Sequence, residues 1–564
     1  MPDAVEEINY TFHKGSTLGV SEFLESAKSH SNEFGSVTLD SAADFNDEAE
    51  RHNLKLPADL QDAFDAMGDD AEAKKAKANI TKVIFDSAAN YEAEHGRSVP
   101  ADIVEQALHN ASGLILDSTG SDTSAHNTLS LQANSAIVAV MTTVGNGSIP
   151  FAHYAPGDRK SNESKIAILE HVAANAFGAY AANESMNGIN SGKPFMNSSR
   201  VHKANPVAGS GSSAVTGKLT ALQSDRDHCD QAASSVPLMS GRCVVYIEGV
   251  PVAREIDSDG GVASSIVGTF SLKSDPGTTY NVTGHVNTHN GEYSLTFTPG
   301  LDVSVDVVTE GFIDFESDEA LIPSFAAKVT IKSLFCHPAR AQAKVSIDSG
   351  TQMKNELGLD PFSELMMGFN IQYRNERYYR ALNIARRIAE HSNVTFSLDY
   401  AAKSPNRTRA SIWLDFISVI DATSQEMANK TMGYGISMLY ANTNIIAQLN
   451  ELSRDVWQPS GLPHRAGIYR VGRLAGKYDV YYTPDVVRQN PDGSSAEIMG
   501  IGRSNDVANN GIVAGDSVAP HIENLGKNAA LGRESAFFTR GMAELNPHAH
   551  THNSFVLFTI TGMK

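Results

Sequence analysis

Apolar positions recur at two spacings along this chain, and the spacing switches from helical to strand-like and back. Between Leu56 and Met67, Leu60, Phe64 and Met67 share one helical face. Ser98, Pro100 and Asp102 supply a cap residue, a first-turn proline and an acid at the positive end of a second helix. Ile103, Ala107 and Ala111 follow at intervals of four. From 148 to 240 Gly, Ser, Asn and Ala dominate, and the apolar period fades after about residue 180. Such a stretch is entropically costly to order, and a loop of this length is unusual in a compact domain. Neighbouring subunits are therefore expected to order it.

A strand pattern takes over at 243–318. The turn clusters Ser271–Gly277, Asn287–Gly291 and Thr298–Gly300 separate short Val-, Thr- and Tyr-rich runs, which predicts a small β-sandwich or barrel-like insertion. Val329, Ile331 and Ser333 then alternate with Lys328, Thr330 and Lys332. Ala341, Ala343, Val345 and Ile347 alternate with Gln342, Lys344 and Ser346, so a strand pair with one covered face is expected. Asp360-Pro361 opens a long helix carrying Phe362, Met366, Phe369 and Tyr373 on one stripe. Ile371, Tyr378, Leu382, Ala385 and Ala389 form a neighbouring stripe, and Glu376 can pair with Arg380. Unbroken to Glu390, this helix would span about 45 Å at ~1.5 Å per residue. Gly368 is its weak point, costing up to about 1 kcal/mol relative to alanine.

The last third carries a recognisable order of segments. A helix candidate at Ser424–Lys430 precedes the apolar run Gly435–Asn444, then a helical Ile445–Leu452 and Leu474–Tyr482. The segment Ala536–Pro547 and a closing strand Ser554–Thr561 end the chain. This order, with a strand leading into a long helix, resembles the major capsid proteins of tailed phages with the Hong Kong 97-like fold, closest to the T-even type. The resemblance covers roughly 320–564 and implies an α+β fold. Its parts would be a peripheral domain with a spine helix, an axial domain, an extended loop, an N-terminal arm and a β-rich insertion domain. Along the chain these become 1–130 the helical arm, 131–242 the extended loop and connecting strands, and 243–318 the insertion. The peripheral domain would be 319–411, the axial domain 412–520, and the return to the peripheral domain 521–564.

The function implied is assembly of hexamers and pentamers into an icosahedral bacteriophage head enclosing double-stranded DNA. Partners would be further copies of the chain, with portal, scaffold and decoration proteins and no membrane. The location would be the virion, after assembly in the host cytoplasm. An encapsulin-like nanocompartment shell, a tail-sheath or tube protein, and a hydrolase with a β-sandwich accessory domain are the competing readings.

Composition narrows these choices. The chain has 564 residues, 41% hydrophobic and 20% charged, which suits a globular protein with several domains. A formal net charge of -20 argues against a surface built throughout to neutralise phosphates, while leaving room for a local basic face. Cys229, Cys243 and Cys336 lack metal-ligand spacing and are expected as buried thiols in a reducing compartment. The acidic stretch Met1–Glu7 does not read as a secretory signal, and no run approaches the roughly 20 apolar residues of a membrane span.

Candidate chemistry is sparse. Gly211–Lys218 approaches a phosphate-binding loop but has five residues between its glycines, and Leu219 stands where a hydroxyl is needed. His548, His550 and His552 would share one face of an extended chain and so offer metal ligands or a pH sensor. Asp257–Gly260 matches part of a calcium loop without its later ligands. Arg374, Arg377, Arg380, Arg386 and Arg387 make the long helix basic, for contact with DNA or, preferably, with acidic groups of other subunits. Some capsid relatives crosslink lysine to asparagine, yet nothing marks Lys160, Lys165 or Lys193 as reactive; Phe23–Glu25 is a poor match to a maturation cleavage site. The sequence assigns no catalytic, cofactor-binding or metal-binding residue, and the chain does not read as an enzyme.

Overall fold

The structure is a computed structural model that describes residues 20, 21, 23, 24, 56–68, 70–119, 136–145, 148–225, 228–256, 263–358, 361–403, 407–527 and 532–563. The chain forms two compact units, 1–168 with 330–564, and 169–329.

The first unit begins with α1 (Ala58–Met67), α2 (Ala71–His95) and α3 (Ala101–Thr119). Leu60, Phe64 and Met67 are buried on α1, and Ile103, Ala107 and Ala111 on α3, as their spacing requires. These helices share one core with Ala381, Leu382, Met438, Tyr440 and Tyr481. Residues 58–119 are therefore packed within their own unit, where the sequence reading has an arm. The difference arises because every helix here has an apolar stripe wide enough to need covering. Strands β1 (His153–Tyr154) and β2 (Glu163–Ala173) follow, and β2 carries the chain into the second unit.

In the second unit, β3 (Ser199–Ala204), β4 (Val207–Ala208), β5 (Ser213–Lys218), β6 (Gln223–Asp225) and β7 (His228–Cys229) precede β8 (Val244–Ile247) and β9 (Val250–Ile256). Then come β10 (Ala263–Phe270), β11 (Tyr280–Asn287), β12 (Glu292–Thr298) and β13 (Val307–Phe312). All eleven form one sheet in the order β4-β5-β12-β11-β10-β9-β8-β13-β3-β7-β6. Tyr293, Leu295 and Phe297 of β12 alternate inward to meet Val282, Val245 and Val307 in a single core. The sheet curls tightly: a Cβ on Gly268 would lie 2.1 Å from the Val252 carbonyl oxygen, so only glycine fits there. His202 on β3 and Tyr293 on β12 approach with ring centroids 6.1 Å apart, which brings distant strands of the order together.

The predicted boundary at 242 therefore falls inside this sheet, and 199–229 is ordered by pairing within its own chain. Expected ordering by neighbouring subunits is not needed for this stretch. Strands such as Ser199–Ala204 carry small and polar residues, and backbone ladder bonds hold them where apolar periodicity is weak.

The chain re-enters the first unit along β14 (Phe325–Phe335), continuing as β15 (His337–Val345). These do not pair with each other: β14 pairs with β2, and β15 joins a four-stranded sheet. The long helix α4 (Pro361–Ala389) runs through Gly368, beside which a Cβ would meet nothing within 4 Å. Its C-terminal half buries Ala381, Leu382, Ala385 and Ala389, and the three alanines permit close contact with the sheets. Then follow β16 (Asn393–Ser397), α5 (Arg409–Thr431), β17 (Ile436–Ala441), α6 (Thr443–Leu449), β18 (Trp457–Pro459), β19 (Tyr469–Leu474), β20 (Tyr478–Tyr482) and β21 (Ala496–Gly502). Last come β22 (Ile512–Lys527), β23 (Arg533–Leu545) and β24 (Phe555–Thr561).

Thr408 caps α5 by accepting from the Ser411 amide, and Asn442 caps α6 by accepting from Ile445. The four-stranded sheet runs β1-β22-β23-β15, and a seven-stranded sheet runs β16-β24-β21-β17-β20-β19-β18. The closing strand β24 thus lies inside the seven-stranded sheet, parallel to β16 and antiparallel to β21, whereas the sequence reading returns it to the peripheral domain. Its alternating-free apolar run, buried on both faces against Phe416 and Met499, selects that central position.

Candidate assembly surfaces

A buried polar node locks α4 to both strands of the β22–β23 hairpin. Arg377 donates from Nη1 to Asp516 Oδ1 at 3.0 Å, and from Nη2 to the carbonyls of Gly515 at 3.1 Å and Met542 at 2.9 Å. Asn110 of α3 donates to Asp516 Oδ2 at 3.2 Å, and Gln106 brackets the Asp516 backbone. Gly541 is required here: a Cβ would sit 2.4 Å from Asp516 Oδ1. A second node joins α3 to the residue just after β21, where Arg503 holds both oxygens of buried Asp102 at 2.7 and 2.8 Å. Burial pushes the Asp102 carboxyl up, but the charges of Arg503 and His153 and the Tyr154 amide hold it below its ordinary value.

The basic helix is thus mostly satisfied inside the chain. Arg380 pairs with Glu544 at 2.5 Å, while Arg386 bonds both oxygens of Glu497 and also Glu390. Glu376 accepts instead from Gln372, so the expected pair with Arg380 does not form. For Arg377, Arg380 and Arg386 the acidic partners that the arginine run suggests in other subunits lie within the chain.

What the chain leaves uncovered is apolar. Along β14, Phe325 is 57% exposed, Val329 59%, Ile331 55% and Phe335 55%, all on the same side of the strand. The opposite side holds Leu334, which packs with Ile166, Ile168, Val513 and Met542. This corrects the expected covered face: the alternation is present, but its large apolar members point outward. On α4, Met367 and Ile371 are likewise exposed one turn apart.

The other candidates dissolve into structure. Gly211–Lys218 includes β5, whose residues ladder with β12, and Lys218 Nζ donates to the Ala233 carbonyl. No helix follows to present amides to a phosphate. The three histidines occupy a 3-10 turn at Ala549–Ser554 and its edge, where His550 meets Asn509 and His552 meets the Asn546 carbonyl. Among the described residues no three acidic, Cys or His groups are placed to hold a metal. Lys165 and Lys193 pair with Glu163 and Glu184. Phe23 is buried and stacks on Phe85, and all three cysteines are buried and free. Asp257–Gly260 and Glu25 lie outside the described residues. No described helix is long and apolar enough to cross a membrane.

Sequence reasoning missed a polar cluster at the end of α2. His95, 9% exposed, contacts the Tyr481 hydroxyl through Nδ1 at 3.0 Å. Burial pushes its imidazole from 6.5 down to about 3, and Arg97 and Arg470 add to the push. Between those values the unfolded chain binds a proton that the native state refuses. Stability is therefore full above pH 6.5 and falls as the pH drops toward 3. His95 alone should remove about 2 kcal/mol between pH 7 and pH 5. Denaturant titrations at the two pH values should show this loss, and His95→Phe should shrink it by a comparable amount. An unchanged pH dependence in that variant would refute the assignment.

No protein-family model and no curated protein matches the sequence. Solved structures give distant likenesses. The capsid of the jumbo bacteriophage PhiKZ aligns at a TM-score of 0.35 and 10% identity, over 73% of this chain and 92% of that one. The holo-SrpI encapsulin from Synechococcus elongatus PCC 7942 aligns at 0.27 and 10% identity, over 44% and 81%. The capsid of Myoviridae phage XM1 aligns at 0.29 and 10% identity, over 43% and 78%. At such scores the likenesses carry no argument of their own.

Proposed function

We propose that this chain is a shell subunit, the major capsid protein of a tailed phage with a Hong Kong 97-like fold of the T-even type. Copies would associate as hexamers and pentamers into a closed icosahedral head around double-stranded DNA, with portal, scaffold and decoration proteins as partners. The virion would be its location, reached by assembly in the host cytoplasm. The observation that carries the reading is the open apolar row of β14. A two-stranded ribbon is marginal alone, and one showing Phe325, Val329, Ile331 and Phe335 to water invites association. The segment order of 320–564, a strand leading into a long helix and then an apolar-strand domain, supplies the identity of the partner as another copy.

The arrangement suits mechanical work better than turnover. The buried Arg377–Asp516 ion pair fixes α4 against the β22–β23 hairpin. Obligate interfaces commonly bury about 2,000–5,000 Å² in total, and closed symmetry reuses the same patch in every copy. Negative-stain microscopy of the purified chain is expected to show closed particles of uniform diameter. A stable monomer, or open tubes, would overturn the proposal. Particles from the native source should protect DNA from nuclease; protein cargo in its place would assign a nanocompartment instead.

A further inference from the structure

Three arginines of the first unit converge on one aspartate where α2 ends. Asp479 on β20, its side chain 4% exposed, accepts from Arg97 Nη2 at 2.5 Å, Arg470 Nε at 2.9 Å and Arg473 Nε at 3.0 Å. Arg473 Nη2 also donates to the Gly96 carbonyl at 3.2 Å. Gly96 closes α2 in the left-handed conformation at φ 65°, and its missing side chain makes room for Arg470. A Cβ there would lie 2.6 Å from the Arg470 guanidinium carbon.

The charges do not balance. Three guanidiniums against one carboxylate leave a formal surplus of two (3 − 1 = 2). The adjacent Arg465 is matched by Glu94 at 2.9 Å and contributes nothing to the surplus. Nη1 of Arg97, both Nη atoms of Arg470 and Nη1 of Arg473 make no hydrogen bond among the described residues. Arg97 Nε is buried with no partner. Like charges packed this closely repel unless an anion joins them. Guanidinium forks match the spacing of phosphate oxygens better than a point charge does.

We propose that the Arg97, Arg470 and Arg473 cluster is a binding site for a phosphate group. A phosphate carries roughly -1.5 to -2 at pH 7, which matches the surplus, whereas a carboxylate would cancel half of it. Asp479 is the floor of the site: it fixes the three Nε or Nη contacts and so turns the remaining donors away from itself. Gly96 lets Arg470 lie flat against the end of α2. This assignment does not rest on the shell reading.

Isothermal titration of the full chain with inorganic phosphate, in chloride buffers of matched ionic strength, tests it. Wild-type protein is expected to bind saturably, and Arg473→Gln at least tenfold more weakly. Arg473 is the most exposed of the three, at 29%, so that variant is the least disturbing to the fold. Gly96→Ala should produce a similar loss by displacing Arg470, and it decides the matter if the first variant does not fold. Absence of saturable binding in wild type, or equal affinity in the variants, overturns the proposal. Phosphoserine that displaces inorganic phosphate would place the group in a phosphate monoester. Failure to displace it would assign free phosphate.

Discussion

Arg377→Ala is expected to destabilise the first unit by about 3–5 kcal/mol, the usual cost of leaving one member of a buried ion pair without the other. A domain has only about 5–15 kcal/mol in hand. The Arg377 side chain is 11% exposed and Asp516 4%, so water cannot replace the lost partner. The substitution also strips donors from the carbonyls of Gly515 and Met542, which tie the two strands of the hairpin to α4. Guanidinium denaturation of the subunit measures the effect. Arg380→Ala is the control: its partner Glu544 is at 2.5 Å, but Arg380 is 57% exposed, and such pairs are worth about 0–1 kcal/mol. The double change Arg377→Ala with Asp516→Ala should cost less than the two single changes added together. Equal small losses for Arg377 and Arg380 would show that the node does not anchor the helix.

Replacing Val329 and Ile331 together by lysine should leave the isolated subunit folded and cut particle yield at least about tenfold, since charges forced into an apolar interface are strongly penalised. Both residues are more than half exposed in the single chain. Surface substitutions of this kind usually change stability by less than about 0.5 kcal/mol, so a loss of particles with an unchanged melting curve isolates the interface. Lys328→Ala, on the other side of β14, should assemble normally. Size-exclusion chromatography followed by microscopy reads the result. Normal particle yield from the double lysine variant would remove β14 from the assembly surface and with it the main support for the shell reading.

These two experiments probe features of opposite legibility. The alternation at 328–333 is plain in the sequence, yet nothing in it says which side of β14 is covered. Period two fixes that Val329 and Ile331 share a side; the neighbours that arrive from β2 and β22 decide that Leu334, not Ile331, is the buried residue. Arg377 was visible as one of five arginines. Its singular role depends on Asp516, 139 residues away, and on Gln106 and Asn110 in a third element. The cluster at Asp479 was invisible for the same reason: Arg97 lies 382 positions from it in the chain.

By itself the sequence determined the helices α1, α3 and α4, the strand-rich run from 243 to 318, the apolar strands β17 and β24 and the buried free cysteines. Each of these follows from local periodicity, capping residues or side-chain hydrophobicity, which act over a few residues. Only the tertiary structure decided that 199–229 belongs to the same sheet as 243–312, that β24 lies between β16 and β21, and that three arginines meet one aspartate. Backbone ladders accept nearly any residue, and ion pairs form wherever folding brings opposite charges within reach. Neither leaves a mark on the spacing of residues along the chain, so both wait for the fold to define them.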